Sequence, residues 1–279
     1  MTEAPPAGHG LDPETPLSVL RRFTIRTVGQ DAGAATVTAS MPTGGMRNPL
    51  TGLPSIAPLA ILVDDVAGRV NYLRAGGRWT VSSELTVEVS PGAIRILQDD
   101  PEEPVVAAGR PLGPAADTML SICTLTHRGR VIGGGTVRTV PISGGPERPA
   151  APAQDPLAGA VDASLADLMA VQALPWDGGT ARLRQRPDPM INNLIGIVHG
   201  GVSAAGLELA AAGAINHGQG SPLETASIRV NFLRPFLAGA QSQYEGTALR
   251  IGRRSAVADA RAIDRDGTVA VIARVTAYR

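Results

Sequence analysis

Hydrophobic and polar positions along the chain fall into a pattern that occurs twice. In WTVSSELTVEVSPGAIRI the apolar residues Val81, Leu85, Val87 and Val89 partly alternate with polar ones, and in LETASIRVNFLRPFLAG the residues Ile228, Val230 and Phe232 do the same. Period-two patterning of this kind predicts half-buried strands. Each of these segments ends in a proline-bearing break, Ser90-Pro91 and Arg234-Pro235. Before each lies a longer run of small and apolar residues: Asn48 to Tyr72 (NPLTGLPSIAPLAILVDDVAGRVNY) and Asn193 to Asn216 (NLIGIVHGGVSAAGLELAAAGAIN). Both runs start at an asparagine, cross a glycine-containing loop and continue as a helix with acid inside it.

The recurrence extends further. MLSICTLTHRGRVIGGGTVRTVPI and AVADARAIDRDGTVAVIARVTAYR each read strand, Arg/Gly turn, strand, with HRGR and DRDG as hairpin turns. A further strand is expected before each helix, at Ala35 to Pro42 and at Thr180 to Pro187. Each half therefore reads strand, loop, helix, then three or more antiparallel strands, an α+β order. Residues 143–156, SGGPERPAAPAQDP, have linker composition. The expected organisation is a disordered tail at 1–16, an N-terminal domain at 17–142, that linker, and a C-terminal domain at 157–279.

Composition narrows the classes. The formal net charge is zero, with 43% hydrophobic and 18% charged residues, so nothing suggests a nucleic-acid partner. The single cysteine, Cys123, excludes an internal disulfide and a Cys-based zinc site, and it agrees with a cytoplasmic location. No apolar run has the length of a membrane span. No His/Asp/Glu cluster has metal-ligand spacing, so no metal is expected. A G-x-S-x-G elbow is missing, and VIGGGTV lies between strands rather than before a helix, which is the wrong context for a phosphate loop. His127 reads as a solvent-facing turn residue.

The chemistry concentrates at His199-Gly200-Gly201. A helix start leaves backbone N–H groups unpaired and partly positive, and glycine lets a ligand oxygen approach them. Such donors can stabilise an oxyanion. Glu208 lies nine residues after His199, about two and a half turns along the helix. An acid that far from the loop of its own half could meet the loop of the other half if the two helices pack side by side. The first helix supplies Asp64 and Asp65.

The run Asn-x5-His-Gly-Gly-x6-acid, followed by a strand and an Arg-Pro break, resembles the hot-dog-fold acyl-CoA thioesterases of the PaaI-like branch. The resemblance covers the chain from about Leu17 as two fused hot dogs. It implies two tandem hot-dog domains, each a long helix wrapped by an antiparallel sheet, packed as an intramolecular pseudo-dimer. It also implies an acyl-CoA thioesterase that needs no cofactor beyond the coenzyme A of its substrate, and a homodimer of double hot dogs as a further assembly. On this likeness Gly200, with Gly201 beside it, polarises the thioester carbonyl. His199 fixes the loop or contacts the sulfur side, and Asn193 holds water or orients substrate. The opposing carboxylate acts as general base or nucleophile: Asp65 first, because DDVAG places a glycine three residues later, with Asp64 as the alternative. Ser82, Ser83 and Thr225 are the hydroxyls of the following strands, and Arg234, Arg253 and Arg254 are candidates for coenzyme A phosphates. The first-half loop, LPSIAP, departs from the pattern. It has Ser55 or Ile56 at the histidine position, and Pro54 and Pro58 remove amide donors. Glu208 would face this altered loop, so one working site per chain is expected. The rivals are an enoyl-CoA hydratase or dehydratase on the same fold, whose Asp-x4-His spacing is missing here, and a non-catalytic acyl-CoA binding module.

Overall fold

The computed structural model describes residues 16–76, 78–142, 154–160 and 163–279. In chain order these form α1 (Leu17–Arg22), β1 (Arg26–Asp31), β2 (Thr36–Met41), α2 (Ala57–Arg74), β3 (Thr80–Val89), α3 (Ala93–Asp99), β4 (Val105–Pro111), β5 (Met119–His127) and β6 (Arg130–Pro141). The second half continues with α4 (Leu165–Leu168), β7 (Val171–Ala173), β8 (Thr180–Gln185), a 3-10 turn (Pro189–Ile191), α5 (Gly200–Asn216), β9 (Glu224–Phe232), β10 (Gln243–Ile251), β11 (Ser255–Ile263) and β12 (Val269–Tyr278).

All twelve strands join one antiparallel sheet in the order β1-β2-β4-β5-β6-β3-β9-β12-β11-β10-β8-β7. Read outward from the centre, the two halves have the same strand sequence, so the chain has an internal pseudo-twofold. The seam is β3 against β9, with Leu85 opposite Val230 and Val87 opposite Ile228. These four side chains are buried on the inner face. That face carries α2 and α5, which pack on each other and on the sheet. The fold is the expected tandem double hot dog, with its helices adjacent and its two half-sheets continuous.

Both long helices are enclosed on nearly every side, α2 from Ala57 to Gly68 and α5 from Gly201 to Ile215. A helix buried all round needs small or apolar residues on every face, which explains SAAG and AAAG. Glycine sets the helix spacing. A Cβ on Gly201 would stand 2.6 Å from Ile61 Cα, and one on Gly206 would stand 2.4 Å from the Tyr244 ring. The glycines of VIGGGTV serve the sheet instead, since a Cβ on Gly135 would meet the Thr86 carbonyl oxygen of the neighbouring strand.

Several expectations need correction. A short helix that the repeated order did not predict, α3, follows β3, and the chain enters it through Gly92 at φ +73°. His127 is 2% exposed rather than solvent-facing, because it closes β5 opposite Arg130 with its ring turned inward. Residues 1–15 of the expected tail and 143–153 of the expected linker lie outside the described residues. The rest of that linker is docked. Arg22 of α1 donates to both oxygens of Asp155, at 2.7 and 2.6 Å, and to Asp188 at 2.6 Å. Arg22 is 3% exposed, and a fork geometry lets one arginine serve two carboxylates.

Candidate active site at the crossing of the long helices

The pseudo-twofold creates two related centres, each built from the acid of one long helix and the loop that starts the other. At the first centre Asp64, midway along α2, is fully buried. Its Oδ1 accepts from Ser82 Oγ of β3 at 2.9 Å. Its Oδ2 lies 3.6 Å from His199 Nε2, which is too long for a hydrogen bond, and a Cβ added to Gly200 would stand 2.8 Å from that same oxygen. The carboxylate thus presses on the Cα of Gly200, and only glycine leaves it room.

His199 is the N-cap of α5, and its N–H donates to the Ile191 carbonyl at 2.9 Å. Gly200 and Gly201 occupy the first turn, whose N–H groups have no carbonyl of their own helix to bind. The His199 ring is enclosed and its pKa is lowered. Desolvation is the main cause, and the nearby charges of Asp64 and Asp65 oppose it. The imidazole is therefore neutral at pH 7. Phe232, at the end of β9, flanks the Gly200 position at 3.4 Å on the side of the missing Cβ.

It is Asp64, not Asp65, that meets the His-Gly-Gly loop. Asp65 points to its own half of the sheet. It lies 3.7 Å from Arg69 one turn on, and its charge, second to burial, helps push the Cys123 thiol of β5 up to about 12. Adjacent residues on a helix lie about 100° apart, so one of the pair at most can face α5. Asn193 also falls outside the expected geometry. Its Oδ1 accepts from the N–H groups of Ile195 and Ile197, at 3.1 and 3.2 Å, so it shapes the loop locally. Ser83 donates to the Arg138 carbonyl, away from Asp64. Arg234 is exposed after β9, and Arg253 and Arg254 are exposed in the turn between β10 and β11.

The second centre has the same plan with different chemistry. Glu208 of α5 is 1% exposed. Its Oε1 accepts from Thr225 Oγ1 of β9 at 2.6 Å, and its Oε2 accepts from Ser55 Oγ at 2.9 Å. Thr225 therefore matches Ser82, and Ser55 matches His199. At this helix start the amides of residues 57–59 are engaged or missing. The Ala57 N–H goes to Ser55 Oγ at 3.1 Å, Pro58 has none, and the Leu59 N–H goes to the Ile56 carbonyl at 2.9 Å. The sequence set Glu208 opposite the loop of Ser55 but did not place Thr225 on it, although the spacing from acid to hydroxyl (Asp64 to Ser82, Glu208 to Thr225) nearly repeats between the halves.

Asp188 is engaged with Arg22 and caps Met190 N–H at 2.9 Å, so it is not held out toward the His199 centre. No group of three metal-ligating side chains occurs among the described residues. No helix among them is long and apolar enough to cross a membrane.

Residues 195–271, which include the His-Gly-Gly turn, α5 and most of the following sheet, match the family model of the Thioesterase superfamily. No curated protein matches the chain. Among solved structures, it resembles the tesB protein of Mycobacterium avium subspecies paratuberculosis at TM-score 0.62 and 13% identity, covering 93% of this chain and 97% of that one. It resembles the acyl-CoA thioesterase II TesB2 of Mycobacterium marinum at TM-score 0.58 and 13% identity, covering 94% and 96%. A hot-dog protein of unknown function from Alicyclobacillus acidocaldarius gives TM-score 0.58 and 14% identity, covering 95% and 98%. These likenesses establish the hot-dog fold over nearly the whole chain. The chain is thus a tandem hot-dog protein, and its C-terminal half carries the thioesterase-superfamily pattern.

Proposed function

We propose that the protein hydrolyses an acyl-CoA thioester to a free acid and coenzyme A, at the centre formed by Asp64, Ser82, His199 and Gly200. The observation that carries this reading is the Asp64 carboxylate held by Ser82 against the first turn of α5. Such a turn offers two glycine N–H groups to a developing oxyanion. A carboxylate beside them is in position to activate water.

The steps balance without a cofactor. Water adds to the thioester carbonyl carbon as Asp64 takes its proton, and the carbonyl oxygen becomes an oxyanion accepting from Gly200 N–H. Collapse of that adduct breaks the C–S bond, and the thiolate recovers the proton from Asp64. Ser82 keeps the carboxylate aimed by donating to the oxygen that does not face Gly200. Neutral His199 walls the site without adding a competing charge. The carboxylate is enclosed, and the ring of Phe232 lies beside the Gly200 position that the substrate carbonyl has to reach. Arg234, Arg253 and Arg254 are the exposed cations available to coenzyme A phosphates.

The test is a panel of acyl-CoA thioesters of varied chain length, with thiol release followed by colour and crotonyl-CoA hydration followed in parallel. Thiol release by the wild type that falls sharply in Asp64→Asn supports the reading. Hydration without thiol release would assign the site to the hydratase chemistry instead. Binding without turnover of either kind would leave a binding module.

A further inference from the structure

The Glu208 centre opens into a cavity of about 160 Å3, bounded by the loop before α2, by α3, and by the segment joining α5 to β9. Three polar groups face each other in it: the Glu208 carboxylate and the hydroxyls of Ser55 and Thr225. A hydroxyl has one proton to give. Ser55 and Thr225 both give theirs to Glu208. What they turn to the cavity is therefore lone pairs, as does the carboxylate. The asparagines of the wall are already committed, Asn48 to the Leu209 carbonyl and Leu50 N–H, and Asn216 to the carbonyl and N–H of Leu223. The only charged residue added at the rim is Glu224, and no Arg, Lys or His lines the cavity among the described residues. The sides are apolar at Leu53, Ile94 and Leu223, and Thr51 and Gln98 add polar groups to the wall.

A carboxylate whose two hydroxyl partners have spent their protons on it, no cation among the lining residues and short apolar walls define a complement. The matching group brings several N–H donors, a positive charge and a small alkyl body. The helix start beside the cavity also lacks the paired glycines of the first centre. It has no free amide at Ala57, Pro58 or Leu59 to hold an oxyanion, as described above. We propose that the Glu208 pocket is a non-hydrolytic binding site for a small aliphatic primary amine in its ammonium form. The ammonium has three donors, one for the carboxylate and one each for Ser55 Oγ and Thr225 Oγ1. The charge of the carboxylate then gains a partner, which a buried ion requires. The space equals about five water volumes, which suits a short straight-chain amine lying against Leu53 and Ile94. This inference goes beyond the hydrolytic reading and does not depend on it.

Calorimetric titration of the full chain with n-butylammonium, n-butanol and butyrate at constant ionic strength tests it. The expected result is one butylammonium per chain, bound at least tenfold more tightly than butanol, with butyrate weaker still. Glu208→Gln should weaken the amine at least tenfold and leave butanol nearly unaffected. Ser55→Ala, in the loop, should weaken it severalfold and keeps the test open if the helix variant fails to fold. Equal binding of amine and alcohol would overturn the proposal, as would amine binding that survives both substitutions. Loss of thiol release in folded Glu208→Gln would also overturn it, by making the pocket hydrolytic. The heat of amine binding is read without turnover, so a chain that cleaves no thioester still gives a clear answer here.

Discussion

The two carboxylate centres share a frame and differ in what surrounds the acid. Asp64 and Glu208 are both buried midway along a long helix, and each accepts a hydroxyl from the following strand, Ser82 or Thr225. Opposite Asp64 stand a histidine and two glycines at the start of α5. Opposite Glu208 stand a serine, whose hydroxyl has captured the Ala57 amide, and a proline. The difference teaches that the acid alone does not define a hydrolytic site. The backbone donors of the facing helix decide whether negative charge on a substrate oxygen can be held.

The largest expected effect comes from removing the base. Asp64→Asn keeps shape and should lower kcat by about two to four orders of magnitude with a smaller change in KM, measured as thiol release. Asp65→Asn, one residue away, is the matched control and should stay within about tenfold. Wild-type rates in Asp64→Asn with a dead Glu208→Gln would invert the comparison. Next comes Ser82→Ala, which leaves one carboxylate oxygen without its donor. A loss of about tenfold in kcat is expected from a hydrogen bond to a charged group, and an unchanged rate would remove Ser82 from the site. Gly201→Ala addresses the helix crossing. The added methyl meets Ile61 Cα at 2.6 Å and Asp64 Cβ at 3.0 Å, so thermal unfolding should show a loss of about 1–3 kcal/mol, the range for overpacking.

Glu208→Gln should have the smallest effect on turnover, below about threefold. Its signature is in stability against pH. Burial is the main influence on Glu208 and raises its pKa above the ordinary 4.5, while the hydrogen bonds from Thr225 and Ser55 pull it down. A group with a raised folded pKa contributes stability that is full below its unfolded value and is lost as pH rises through the folded one. Between about pH 4 and about pH 8, the Tm of Glu208→Gln should therefore rise relative to that of the wild type. A constant difference would show that Glu208 has no raised pKa.

Much of this was legible in the sequence. The alternation of Ile228 and Val230 against their counterparts Val87 and Leu85 gave both seam strands, and the repeated segment order gave the paired helices. The His-Gly-Gly turn marked the start of α5. Choosing between Asp64 and Asp65 was not possible from spacing. Counted from their N-caps, Ile56 and His199, Asp65 rather than Asp64 matches Glu208. The first turn of α2, however, closes as a 3-10 turn from Leu59 N–H to the Ile56 carbonyl. Tighter winding there shifts the phase of α2 relative to its cap and turns Asp64 toward α5. The role of Asn193 was hidden for a different reason. Asparagine in such a loop can hydrogen-bond either substrate or its own backbone, and composition does not distinguish these. The contact of Arg22 with Asp155 and Asp188 joins residues 133 and 166 positions apart, and no local pattern announces such a meeting.

The seam between β3 and β9 has a consequence for how the two centres can change. When two identical chains form a hot-dog pair, every substitution appears at both centres at once, and a change that disables one disables both. Here the sheet is continuous but the halves are encoded separately. Pro54 and Pro58 alter the start of α2 while Gly200 and Gly201 remain at the start of α5. Fusion therefore makes each centre independently mutable, so one can keep a fixed task while the other is free to acquire a new one.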